Sequence, residues 1–128
     1  MERPSLQRHS RAALRMTEAA ASGRFELQQC SKCGAVQYPP RDACHRCLSV
    51  ELQWTLQSGA GRMISETTLF HSHLPQFRSR LPLRIGLVHL LSGPVALAHV
   101  EKSVPAAPAD VEVAVQLDES GYAMLVAR

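Results

Sequence analysis

A chain of 128 residues with a hydrophobic fraction of 45% and only 5% aromatics holds one ordinary domain or two very small ones, with a core of Leu, Val and Ala. No apolar run approaches the roughly 20 residues that span a bilayer, and the start lacks the apolar centre of a signal peptide, so the expectation is a soluble, cytoplasmic protein with no membrane contact. The net charge of +3 is uneven, with 12 Lys+Arg against 6 Asp+Glu in residues 1–84 and 2 against 5 in residues 85–128; so small a basic excess suits a phosphate-bearing or acidic partner and a plain solvated surface equally.

Residues 5–21 read as a helix, with Ser5 as N-cap, good helix formers from Arg11 to Ala21, and Gly23 as the stop. Its expected apolar stripe (Leu6, Ala13, Leu14 and Ala20 or Ala21) is thin, so the helix frays or docks on a partner. The Arg-rich start resembles an organellar transit peptide, against which Glu2 and Glu18 argue. Phe25 to Gln29 predicts a short strand, and Ala35 to Tyr38 another, ended by Pro39-Pro40 because neither residue donates to a ladder.

Between and beyond these strands lie all four cysteines, as Cys30-Ser31-Lys32-Cys33-Gly34 and Cys44-His45-Arg46-Cys47. A C-x-x-C pair turns both sulfurs inward from one tight loop, and two such loops face four thiolates toward one point. Gly34 suits a knuckle that needs positive φ. Zinc is the expected ion, since it takes four thiolates in redox-silent structural sites. Iron in a rubredoxin-like site and a pair of disulfides are the alternatives. Leu48 rather than Gly after the second knuckle weakens the iron reading, and a reducing cytoplasm weakens the disulfide one.

Glu51 to Gln57 alternates Leu52, Trp54 and Leu56 with polar residues, a half-buried strand. Trp54 reads as core, with base or adenine stacking as the alternative. Ser58-Gly59-Ala60-Gly61 reads as a flexible break. Three units result: a helical segment over 1–24, a zinc ribbon over 25–58 and a barrel over 59–128. The barrel strands are expected at Arg62–Phe70, Arg84–Leu91, Val95–Val100, Val111–Leu117 and Tyr122–Ala127. Five short strands, with a Pro-containing connection over 101–110 between the third and fourth, suit an OB-type Greek-key barrel. The fold class is therefore mainly β.

The loop from His71 to Pro82 carries Phe77, Arg78 and Arg80, with Arg84 just after. Planar guanidinium forks bind phosphate oxygens and Phe77 can cover a flat ring; an ordinary solvated loop is the alternative. His71 and His73 lack a third ligand for a second metal.

This order of parts resembles the zinc-ribbon (rubredoxin-like) plus OB-fold family associated with acyl-CoA thiolases and acyltransferases. The matching residues are the helical start, Cys30-x-x-Cys33-Gly34, Tyr38-Pro39-Pro40-Arg41, Cys44-x-x-Cys47, Trp54, Gly59-x-Gly61, Leu81-Pro82-Leu83 and Ser92-Gly93-Pro94, over roughly residues 10–117. Ala109-Asp110 stands where the family commonly has a glycine, and the last strand is short. The resemblance implies a non-catalytic subunit that pairs with a thiolase or ketosynthase-like enzyme, or with a hydratase-fold partner, and helps to shelter the acyl-CoA arm. On that reading Tyr38, Arg41, Phe77, Arg78, Arg80 and Arg84 are the candidate ligand-binding residues, and Cys30, Cys33, Cys44 and Cys47 hold structural zinc.

The residues themselves also argue against an enzyme. Four thiolates leave zinc no open position. No cysteine remains as a nucleophile, no serine sits in an elbow motif, and no Gly-rich phosphate loop appears. His89 and His99 fall at strand positions. Single-stranded nucleic-acid binding is the alternative that a ribbon and an OB-fold allow, but the few aromatics and modest charge disfavour it, since such readers stack bases on rings. Electron transfer at an iron site is the third reading.

Overall fold

The computed structural model describes residues 11–73, 78 and 81–128. A helix α1 (Arg11–Ala21) is followed by β1 (Glu26–Cys30), β2 (Val36–Gln37), β3 (Leu52–Leu56), β4 (Ala60–Leu69), β5 (Leu83–Leu90), β6 (Val95–Val100), β7 (Ala109–Leu117) and β8 (Ala123–Ala127). Every expected strand forms, with ends shifted by one or two residues. The expected N-cap Ser5 and Leu6 lie outside the described residues.

Of the expected stripe, among the described residues, the helix buries only Ala20. Met16, Ala19 and Ala20 are buried, at i, i+3 and i+4, while Leu14 is 43% exposed and Ala21 lies in solvent. Gly23 at φ 75 closes the helix, and the Arg24 amide donates to the Ala19 carbonyl at 2.9 Å. Thr17 Oγ1 accepts from the Ala123 amide at 3.1 Å and so ties α1 to β8. Glu26, buried at the start of β1, accepts from Arg15 Nη2 at 3.1 Å and Arg24 Nε at 2.9 Å, which ties the helix to the ribbon.

Strands β1 to β3 make an antiparallel sheet in the order β2-β1-β3. The other five close into a barrel in the order β4-β5-β6-β8-β7, with β7 returning to β4. All neighbours are antiparallel except β6 and β8, which run parallel through His99↔Val126 and Val100↔Ala127. This is the OB order, which needs one long crossing between its third and fourth strands. The segment from Glu101 to Pro108 supplies it. Alternation along β6 and β7 sends Ala96, Ala98, Val100, Val111 and Val113 inward, where they join Met63, Val88 and Leu90. The same apolar cluster includes Phe25 and Leu27 of the ribbon side and Met16 of the helix. Each fully buried Leu, Met or Val contributes roughly 1.5–3 kcal/mol.

Two readings change on inspection of the packing. Gly59 is not a flexible break. It is buried, its carbonyl accepts from the Val113 amide at 2.7 Å, and a Cβ there would lie 1.7 Å from the Val113 carbonyl oxygen. Close backbone approach, not mobility, requires glycine. Leu56 is not half-buried but 71% exposed, because it ends an edge strand opposite Glu26, beyond the reach of the core. At the position of the missing family glycine, Ala109 is buried opposite Met63, and Asp110 pairs with Arg62 at 2.7 Å. The short last strand forms its hairpin with β7 in full, from Val113↔Ala127 to Leu117↔Ala123.

Candidate metal centre

Each cysteine pair sits on a tight turn with the same hydrogen bonds. In the first, the Gly34 amide donates to the Cys30 carbonyl at 2.9 Å and the Cys33 amide points at Cys30 Sγ at 3.5 Å. In the second, the Leu48 amide donates to the Cys44 carbonyl at 2.9 Å and the Arg46 amide points at Cys44 Sγ at 3.4 Å. Gly34 has φ 77, and Leu48 has φ 65 in the corresponding place. Leu48 therefore adopts the left-handed conformation that glycine takes without strain, and its presence does not prevent a rubredoxin-like knuckle.

The two knuckles bring the four Sγ atoms within 4.8 Å of one another, with Cys30–Cys47 and Cys33–Cys44 at 3.5 Å. Four thiolates at about 2.3 Å from a tetrahedral zinc have S···S edges of about 3.8 Å, so the donor set fits zinc. All four cysteines are free, which removes the disulfide reading. Among the described residues no other His, Cys, Asp and Glu group has such geometry; His71 and His73 are exposed.

The electrostatics show why a cation belongs here. The Cys33 amide, opposed by burial, draws the Cys30 thiol down to about 6. The Cys47 amide is the largest influence holding Cys44 below its usual range. Cys47 is drawn down by the Ser49 amide, but the Cys30 sulfur, burial and the other two sulfurs outweigh it and push the thiol up to about 11. Four sulfurs this close do not all ionise unless a cation offsets their repulsion. Zinc, when bound, supplies that charge and cross-links β1 to the second knuckle.

A buried amide pair holds the loop between the knuckles. Gln28 and Gln37 stand opposite each other in β1 and β2 and are 4% and 2% exposed. Gln37 Nε2 donates to Gln28 Oε1 at 2.8 Å and to the Ala43 carbonyl at 3.3 Å. Gln28 Nε2 donates to the Arg41 carbonyl at 2.7 Å, and Gln28 Oε1 accepts from the Arg41 amide at 2.8 Å. Gln37 Oε1 accepts from the His45 amide at 2.9 Å and lies 3.0 Å from His45 Nδ1. An amide oxygen only accepts, so Nδ1 carries the proton and Nε2 faces away from this network. Sequence reading missed these glutamines. A Gln in a strand reads as solvent-facing, and only the β1–β2 register reveals the pair.

The candidate ligand residues scatter. Tyr38 is half-buried against the core, and burial raises its phenol above the usual range. Arg41 and Arg78 are exposed. Phe77 and Arg80 lie outside the described residues. Arg84 is engaged within the barrel: Nε and Nη2 donate to Glu66 Oε2, Nη1 to the carbonyls of Glu101 at 3.0 Å and Val104 at 2.9 Å, and Nη2 to that of Pro105 at 3.3 Å. It pins the crossing segment. The three arginines of the 78–84 stretch are thus not shown as one cluster. Trp54 packs against the core.

Residues 17–53 match the family model of the ChsH2 rubredoxin-like zinc ribbon domain. The chain also shares its fold with a solved structure described as an Ltp2-ChsH2(DUF35) aldolase, at a TM-score of 0.77 and 23% identity over 98% of both chains. A protein of unknown function from the DUF35 family of Sulfolobus solfataricus is similar at a TM-score of 0.60 and 17% identity, over 92% of this chain and 84% of that one. No curated protein matches the sequence. The ribbon match and the four-sulfur geometry together make the site a structural zinc centre of the rubredoxin-like ribbon type, carried on the zinc-ribbon plus OB fold of DUF35 proteins.

Proposed function

We propose that this chain is a non-catalytic accessory subunit that assembles with a thiolase- or ketosynthase-like enzyme acting on acyl-CoA. The observation that carries the reading is an apolar strip on the outer wall of the barrel. Leu97 is 62% exposed and Val95 46% exposed on β6, Leu87 of β5 pairs beside Leu97, and Leu91 at the hairpin tip is 81% exposed. Contiguous exposed apolar residues mark protein contacts more than they mark catalysis. Tyr38 of the ribbon shares a recess with Leu97, so zinc, by fixing the loop that carries Tyr38 and Arg41, sets the shape of that wall. Holding part of an acyl-CoA, with Arg41 and Arg78 as the exposed phosphate donors, is the finer form of the same proposal. The solved neighbour described as an Ltp2-ChsH2 aldolase supports a subunit working beside an enzyme.

The strip carries Leu and Val where single-strand binders present stacking rings, which weighs against the nucleic-acid reading. Among the described residues no helix is long and apolar enough to cross a membrane. The test is co-expression with a thiolase-fold enzyme from the same genome. The pair should co-elute, and Leu97→Asp should separate it while leaving bound zinc unchanged. Turnover of acyl-CoA by this chain alone, or co-elution indifferent to Leu97→Asp, would overturn the reading.

A further inference from the structure

The metal centre is sealed on one side only. Cys30 and Cys44 are 2% and 1% exposed, whereas Cys33 and Cys47 lie at the surface. Each exposed sulfur belongs to a different knuckle and faces a buried sulfur of the other. Cys33 Sγ lies 3.5 Å from Cys44 Sγ, and Cys47 Sγ lies 3.5 Å from Cys30 Sγ. Zinc takes its cysteine ligands as thiolates. The loaded site thus presents two accessible thiolates, each backed by a second sulfur that solvent does not reach. Such sulfurs are open to two-electron oxidation, because susceptibility follows thiolate character and exposure and a neighbouring cysteine completes a disulfide.

Two observations separate the exposed pair. The Cys33 amide is directed at Cys30, the Arg46 amide at Cys44 and the Ser49 amide at Cys47. Among the described residues no amide is directed at Cys33 Sγ. An N–H aimed at a thiolate takes up part of its charge and blunts it as a nucleophile, so Cys33 is the less blunted of the two. Cys33 also borders a recess of about 370 Å³ beside the β5–β6 hairpin, with Arg46 in its wall, and Cys47 does not. That space far exceeds the roughly 30 Å³ share of one water, so a small oxidant reaches the sulfur. Reactive thiolates sit in partly exposed, electropositive surroundings of this kind.

We propose that Cys33 is an oxidation-sensitive ligand of the zinc centre, with Cys44 as its resolving partner and a peroxide as the oxidant. The Cys33 thiolate attacks one peroxide oxygen, the O–O bond breaks, and the other oxygen leaves as hydroxide. The Cys44 thiolate then attacks the Cys33 sulfenic acid across the gap, and a second hydroxide leaves as the S–S bond forms. The two sulfurs together lose two electrons, and the peroxide gains them. Cys30 and Cys47 are left as half of a tetrahedral set and no longer retain zinc. The four-sulfur link between the knuckles becomes a single sulfur–sulfur link, which a dithiol reverses. The inference uses the zinc centre alone and requires no partner enzyme.

The zinc-loaded full chain is treated with hydrogen peroxide in the presence of a chromophoric zinc indicator. One zinc per chain should be released for each disulfide formed. Acid quenching, alkylation and peptide mapping should find Cys33–Cys44 as the first disulfide, with Cys30 and Cys47 alkylated. In a separate reaction, a dimedone-type trap should label Cys33 ahead of Cys47. A dithiol with added zinc should restore the loaded protein. The unaltered chain is used throughout, so no variant has to fold. Zinc retained at peroxide levels that oxidise a free thiol would overturn the proposal. So would a first disulfide other than Cys33–Cys44, a trap carried first by Cys47, or conversion of Cys33 to sulfinic acid without a disulfide.

Discussion

Gln37 donates from Nε2 to Gln28 Oε1 at 2.8 Å across the β1–β2 pair, and the two amides between them hold the backbone of Arg41 and the amide and ring of His45. They do inside the ribbon what secondary structure does elsewhere, since the 38–43 segment has no ladder of its own. Gln37→Ala should destabilise the zinc-loaded protein by about 2–3 kcal/mol, because it leaves buried donors and acceptors without partners. The double variant with Gln28→Ala should lose less than the sum of the single losses. Urea denaturation of the four proteins checks this, and strict additivity would refute the network.

Zinc uptake should release protons. Cys30 is drawn down to about 6 and Cys47 pushed up to about 11. At neutral pH the metal-free ribbon is therefore largely ionised at Cys30 and still protonated at Cys47, and zinc must displace the Cys47 proton. As pH falls through about 6, Cys30 gains its proton as well, so affinity weakens toward acid. Calorimetry in buffers of different ionisation enthalpy measures the release, and chelation should unfold the ribbon.

The two knuckles give opposite responses to glycine exchange. Leu48→Gly should stabilise the protein by about 0.5–1 kcal/mol, since relief of roughly 1–2 kcal/mol of left-handed strain exceeds the added disorder of the unfolded chain. Gly34→Ala should destabilise it by about 1 kcal/mol. Thermal unfolding of the zinc-loaded variants distinguishes the two signs.

Gly59→Ala should be the most damaging glycine change in the chain. The added methyl meets the Val113 backbone, which cannot rotate away as a side chain can. A loss at or above about 3 kcal/mol, the upper range for overpacking, is expected. Gly86→Ala should be milder, because the atom it meets first is the flexible Met63 side chain. Their denaturation midpoints provide the comparison.

Tyr38 makes stability fall at alkaline pH. Burial raises its phenol in the folded state, so the unfolded chain ionises first. The contribution is whole below the unfolded value of about 10 and is lost as pH rises through the folded one. Tyr38→Phe should flatten the alkaline limb of a stability–pH profile while leaving its neutral part in place.

Much of this molecule is legible in its residues. Cysteine spacing marks the metal, and alternation in β6 and β7 marks the barrel wall, because both signals are local. The misreadings arise where a residue's role depends on a distant neighbour. Gly59 looks like a hinge until Val113 is beside it, Arg84 looks like a free cation until Glu66 and the crossing segment surround it, and Leu14 looks apolar enough for the core until Met16 takes that face. Gln28 and Gln37 carry no local signal at all.

Barrel closure rests on β4 meeting β7, with Gly61 opposite Val111 and Met63 opposite Ala109, whereas the sulfurs of Cys30 and Cys47 belong to one short stretch. Pairings so remote along the chain form slowly compared with local ones. All four sulfurs precede β7, the last neighbour of β4, in the chain, and a chain cut before Ala109 leaves one flank of β4 without its partner strand, the kind of edge that invites aggregation.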